Sequence, residues 1–96
     1  MSYQIRISEE AESEINKAKG WYEKQSYGLG EKFENDLKLE IESLLDFTID
    51  HKTTHANHRR LLMYRFPYII YYKREERTRI VEITSVLHNK QQHHFD

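Results

Sequence analysis

Cysteine is absent from this 96-residue chain, which excludes disulfides, thiolate metal sites and cysteine nucleophiles. The absence is compatible with the cytoplasm, the location we expect. There is one proline and there are three glycines, and the chain has no repeat, linker, low-complexity segment or Gly-rich phosphate loop. Long hydrophobic runs are missing too. The longest, FPYIIYY at 66–72, falls far short of the roughly 20 residues a membrane helix needs. The Met-Ser-Tyr-Gln start lacks a basic region followed by an apolar run, so neither a signal peptide nor a membrane partner is expected. Apolar residues amount to only 38% against 32% charged, but they recur periodically, which argues against disorder. We expect a single domain over 1–96, burying roughly two-thirds of the surface its unfolded chain exposes.

Net charge is small, −1, yet unevenly spread. Residues 1–50 hold twelve acids and six Lys or Arg, whereas 51–96 hold four and nine, together with all six histidines. An acidic half joined to a basic half fits a protein with one surface for a polyanion. Two solvated faces of different composition fit as well.

The period of the apolar residues changes once along the chain. Tyr3, Ile5 and Ile7 alternate with Gln4 and Arg6, the pattern of a short strand with one buried face. Ser8 can cap a helix whose first turn carries Glu9 and Glu10, where the dipole favours anions. Ala11, Ile15, Ala18 and Tyr22 follow at spacings of four, three and four, and Gly20 weakens that helix without ending it. QSYGLG at 25–30 reads as a helix end and a restart. Leu29, Phe33, Leu37, Ile41 and Leu44 or Leu45 then form the stripe of a second helix, making an antiparallel hairpin with the first. TIDHKTTHANH at 48–58 has no period and reads as a loop. Beyond it the period is two. Strands are predicted over 60–66, 68–73 and 79–88, with turns at Pro67 and at REERT (74–78) and a ragged tail over 89–96. The order is β-α-α-β-β-β, an α+β domain in two layers, with the helical hairpin on one face of a mostly antiparallel sheet.

Four segments in this order and spacing carry a resemblance: ISEEAESEI (7–15), WYEKQSYGLGEKF (21–33), RRLLMYRFPYIIYY (59–72) and RIVEITSVLH (79–88). Together the chain resembles the RelE/ParE family of toxins from bacterial type II toxin–antitoxin systems, over nearly its whole length. The Trp-Tyr pair and Gly-Leu-Gly of the helical turn resemble the ParE-like side more. What the resemblance implies is a growth-inhibiting toxin without a cofactor, made beside a labile cognate antitoxin. Its target would be DNA gyrase, as in the ParE-like branch, or the ribosome with its mRNA, which the RelE-like branch cuts. The gyrase reading is preferred. A protein-binding adaptor that inhibits nothing is the alternative from another class.

Candidate site residues lie in the second half. Arg59 and Arg60 offer forks of donors that match phosphate or an acidic partner, though charges on a strand edge also serve to block sheet-to-sheet pairing. Arg65 would share a strand face with Arg59, Leu61 and Met63, near its rim, or pair with the acidic helices. Tyr64, Tyr68, Tyr71 and Tyr72 could stack on bases, although aromatics on strands more often pack. Tyr68 and Tyr71, with Lys90, complete the expected partner-binding set. For the RNA-cutting branch, the resemblance implies a general acid or base at His88, a residue type suited to proton transfer near neutral pH. It also implies a cation at the phosphorus. An arginine often opens the third strand of that branch, whereas this chain has Tyr68, leaving Arg65 or Lys90 as substitutes. His51, His55 and His58 have helical spacing that could suit a metal, but they fall in the Thr/Asn-rich loop and no metal is expected. His93 and His94 are tail residues. Glu9, Glu10, Glu12 and Glu14 read as a solvated helix face.

Overall fold

The computed structural model describes residues 3–45 and 58–91. They form, in order, β1 (Gln4–Ile7), α1 (Glu9–Gln25), α2 (Leu29–Ser43), β2 (Arg59–Leu62), β3 (Tyr68–Glu75) and β4 (Ile80–His88). Ser8 caps α1, its Oγ accepting the Ala11 amide at 3.1 Å, and Glu9, Glu10 and Glu12 sit in the first turn, where they favour the dipole. Gly20 lies inside the helix. The left-handed Gly28 (φ 84°) reverses the chain into α2. Gly30 is required by packing instead: a Cβ there would lie 2.7 Å from the Lys19 carbonyl oxygen of α1. The two apolar stripes are buried as their spacing predicts except that Leu29 is only partly covered, with Leu44 completing the second and Leu45 left 41% exposed.

The sheet runs β1-β4-β3-β2. β3 pairs antiparallel with β2 and β4, while β1 lies parallel to β4. One face turns Ile70, Tyr72, Val81, Ile83 and Val86 toward the hairpin. Tyr71 faces Ser85 while Tyr72 faces Ile83, so Thr84 is an extra residue in β4, a β-bulge.

Several boundaries differ from the sequence reading. β2 stops at Leu62 rather than 66. There the Met63 amide donates to the Tyr68 carbonyl at 2.9 Å and the Tyr68 amide to the Phe66 carbonyl at 2.7 Å, closing a turn. Pro67 inside that turn has no N–H to continue a ladder. β3 runs on to Glu75, and β4 begins at Ile80 because Arg79 adopts a left-handed backbone (φ 57°). Tyr3 and Ile5 pack partly on the core, but Ile7, where the chain leaves the sheet, is 42% exposed. His58 is buried rather than solvated, while His51, His55, His93 and His94 lie outside the described residues. Among the described residues no helix is long and apolar enough to cross a membrane.

Candidate functional site

α1 lies over β4, and their contact opens into a groove of about 730 Å³, within the size range of ligand and anchor pockets. Glu14, Lys17, Trp21 and Tyr22 form one wall, and Tyr68 and His88 face them.

The bulge positions this wall. β1 ends at Ile7, opposite Ile83, so next to the bulge β4 has no strand on its outer side, and Ser8 and α1 bind the backbone there. The Ser8 hydroxyl donates to the Thr84 carbonyl at 3.1 Å, and the Ser8 amide donates to the Ile83 carbonyl at 2.9 Å. Glu14 Oε1 accepts both the Ser85 hydroxyl at 2.7 Å and the Val86 amide at 2.9 Å. Glu14 is therefore no part of a solvated face. A signal existed: it lies three residues after Ala11 and four before Ala18, on the apolar stripe itself.

A chain of rings lines the groove. Trp21, 56% exposed, meets Tyr22 edge-on at 5.1 Å. Tyr22 lies 6.0 Å from Tyr68, and Tyr68 meets His88 at 5.4 Å and 77°. Burial raises the pKa of the Tyr68 phenol. The Tyr22 phenol is also raised, first by burial and then by its neighbour Tyr68. Both stay neutral donors at ordinary pH. The Lys90 amide donates to His88 Nδ1 at 3.1 Å, so a neutral His88 ring carries its proton on Nε2.

The expected site residues do not all converge. Tyr68 and His88 pair across β3 and β4, and Lys90 sits just beyond them, exposed. Arg65 is elsewhere. Because β2 ends early, it shares no strand face with Arg59, Leu61 and Met63. It is exposed in the turn and lines a cavity of about 280 Å³ with Asp36, Glu40 and Tyr64. Arg59 and Arg60 are half-buried on β2 and, being adjacent, face opposite sides, across from Tyr72 and Tyr71. Tyr71 is 2% exposed. It sits in a central strand, between β2 and β4, and its ring presents no surface to a partner. Tyr72 is fully buried, and Tyr64 is 85% exposed. Among the described residues no three His, Asp or Glu side chains are grouped to hold a metal. Sequence reasoning missed Glu14, Lys17 and Trp21 as members of the groove.

Over residues 5–93 the chain matches the family model of the ParE toxin of the type II toxin–antitoxin system parDE. Among solved structures it is similar to a chain of a chromosomal ParDE TA system from P. aeruginosa, with a TM-score of 0.76 at 12% identity. That likeness covers 91% of this chain and 96% of the other. At such low identity it speaks for the fold, two helices on a four-stranded mixed sheet. No individually curated protein matches in sequence.

Proposed function

This chain belongs to the ParE toxin family of type II toxin–antitoxin systems, and we propose that it arrests growth by inhibiting DNA gyrase and is silenced by a cognate antitoxin. The make-up of the groove carries the choice of target. RNA cleavage needs a general acid or base and a cation converging on one phosphate. His88 and Arg65 line separate cavities. Tyr68, a neutral phenol, sits where an arginine would serve. Lys17 is a cation of the groove, but it shares its wall with the Glu14 carboxylate, which repels a phosphate. A surface rich in aromatic rings with opposed charges suits a protein partner better than phosphoryl chemistry.

The test pairs two assays on purified protein: trapping of gyrase-cleaved plasmid, and cleavage of mRNA on programmed ribosomes, with His88→Ala beside wild type. We expect linear DNA to accumulate, messages to stay intact and His88→Ala to change little. Message cutting that drops on the order of 10²-fold in His88→Ala would replace gyrase inhibition with the RNase reading. Unimpaired growth on induced expression without antitoxin would leave a binding protein that inhibits nothing.

The antitoxin is expected to lay apolar anchors and carboxylates along the basic half, with Arg59, Arg60, Tyr68 and Lys90 among its contacts. Joint Arg59→Glu and Arg60→Glu should weaken that complex by charge reversal. Unchanged affinity at low salt would take both arginines out of the interface.

A further inference from the structure

The chain of rings in the groove between α1 and β4 is open at one end. Trp21 meets Tyr22 edge-on and is still 56% exposed, so a large apolar side chain stands in water beside a cavity of about 730 Å³. Covering it would be favourable. The chain itself passes close by. Gln91, where the described residues end, is part of the lining, as is Pro67. Short backbone contacts hold this stretch in place. The Asn89 amide donates to the Pro67 carbonyl and the Gln91 amide to the His88 carbonyl, each at 2.8 Å. The residues that follow, Gln92, His93, His94, Phe95 and Asp96, therefore set out from the rim of the groove.

Within 89–96 Phe95 is the one apolar residue. Four extended residues span roughly 13 Å, enough to carry its ring from Gln91 across a groove of this volume. A phenyl ring matches the lining. The rings already there meet edge-on or tilted, and aromatic pairs gain from such geometry beyond the area they bury. Charge does not oppose the approach. Glu14 and Lys17 offset one another in the wall, and 92–96 holds one acid and no Lys or Arg. The tether adds to this. An occupant joined through four residues is present at an effective concentration on the order of millimolar, which a separate protein does not reach. We propose that Phe95 folds back into the groove of its own chain and plugs it against Trp21 and Tyr68. Tyr68 and Lys90 are among the contacts proposed above for the antitoxin, so the antitoxin must displace the plug. That consequence rests on the antitoxin reading; the plug itself does not.

Trp21 is the only tryptophan, so its fluorescence reports on this groove. Acrylamide quenching is measured on purified wild type, Phe95→Ala and Phe95→Leu, at low and high protein concentration, with thermal unfolding as the check of the fold. Phe95→Ala should show a steeper quenching slope and emission shifted to the red. Phe95→Leu, still apolar, should stay nearer wild type. Equal quenching in all three overturns the proposal. So does a difference that disappears on dilution, because Phe95 would then fill the groove of a second copy. Titration with the antitoxin encoded beside this chain tests the displacement separately. Phe95→Ala should bind it roughly three- to tenfold tighter, since apparent affinity rises with the fraction of open groove. Unchanged or weaker binding, beside Phe95-dependent quenching, upholds the plug and overturns its displacement by the antitoxin.

Discussion

The two helices are tied to the sheet by different forces. α1 is pinned by hydrogen bonds, Ser8 to Thr84 and Ile83, and Glu14 to Ser85 and Val86. α2 rests mainly on apolar packing. Phe33, 0% exposed, lies 5.3 Å from the Tyr22 ring, 5.1 Å from Phe66 and 5.2 Å from Tyr68. Polar ties of α2 are at its surface. Glu40 accepts the Tyr64 amide at 2.8 Å, and Glu34 pairs with Lys19 of α1 at 3.0 Å between partly exposed side chains, a contact of small worth. Packing supplies magnitude without direction. Hydrogen bonds contribute less net energy but are expensive to leave unmade and admit only one geometry. The groove lies on the pinned side, so its shape follows from the register of α1 on the bulge.

The largest test of this contrast is Phe33→Ala. It should cost about 3–5 kcal/mol, much of the stability of a domain this size, read as a fall in the urea midpoint. Glu14→Ala should cost about 1–3 kcal/mol, because the fully buried Ser85 hydroxyl and the Val86 amide lose their acceptor. Its signature is local: amide exchange at Val86 should speed up more than the global change accounts for. Equal effects of the two substitutions, with no local signature at Val86, would break the comparison.

Two glycines sharpen it with opposite signs. Gly30→Ala should destabilise by about 1–3 kcal/mol through overpacking, since its Cβ meets a backbone oxygen that cannot rotate away. Gly20→Ala meets nothing within 4 Å inside α1 and should stabilise by about 0.5–1 kcal/mol. Thermal unfolding of the two variants decides both signs.

The smallest expected effect concerns pH. The folded Tyr68 phenol has a pKa raised by burial, so it keeps its proton where the unfolded one loses it. The unfolded state then binds fewer protons, and stability falls as pH rises above the ordinary tyrosine value of about 10. Tyr68→Phe should make that alkaline loss shallower, with only the part of the Tyr22 share that comes from burial persisting. Urea midpoints at mildly and strongly alkaline pH would show it, and identical slopes for variant and wild type would refute it.

Much of the architecture is legible in the sequence because it depends on near neighbours. The spacing of Ala11, Ile15, Ala18 and Tyr22, the capping serine at position 8 and the glycines of the turn each act within one or two helical turns. The change of period after the helices, and the lone Pro67, likewise place the strands of the second half, though not their ends.

The site was less legible because it depends on long-range register. His88 meets Tyr68 only because β3 and β4 pair at those positions, and Glu14 gains its role only because the register slips by one at Thr84. Such a slip is a disagreement between two strands and cannot be seen in either alone. Arg65 shows the converse. Its residue type suited the site, but one early strand end turned it into a different cavity. The sequence by itself determined the helical stripes, the order of elements and the family. Tertiary structure decided which side chains share the groove, because convergence of distant residues is set by pairing and packing rather than by local period.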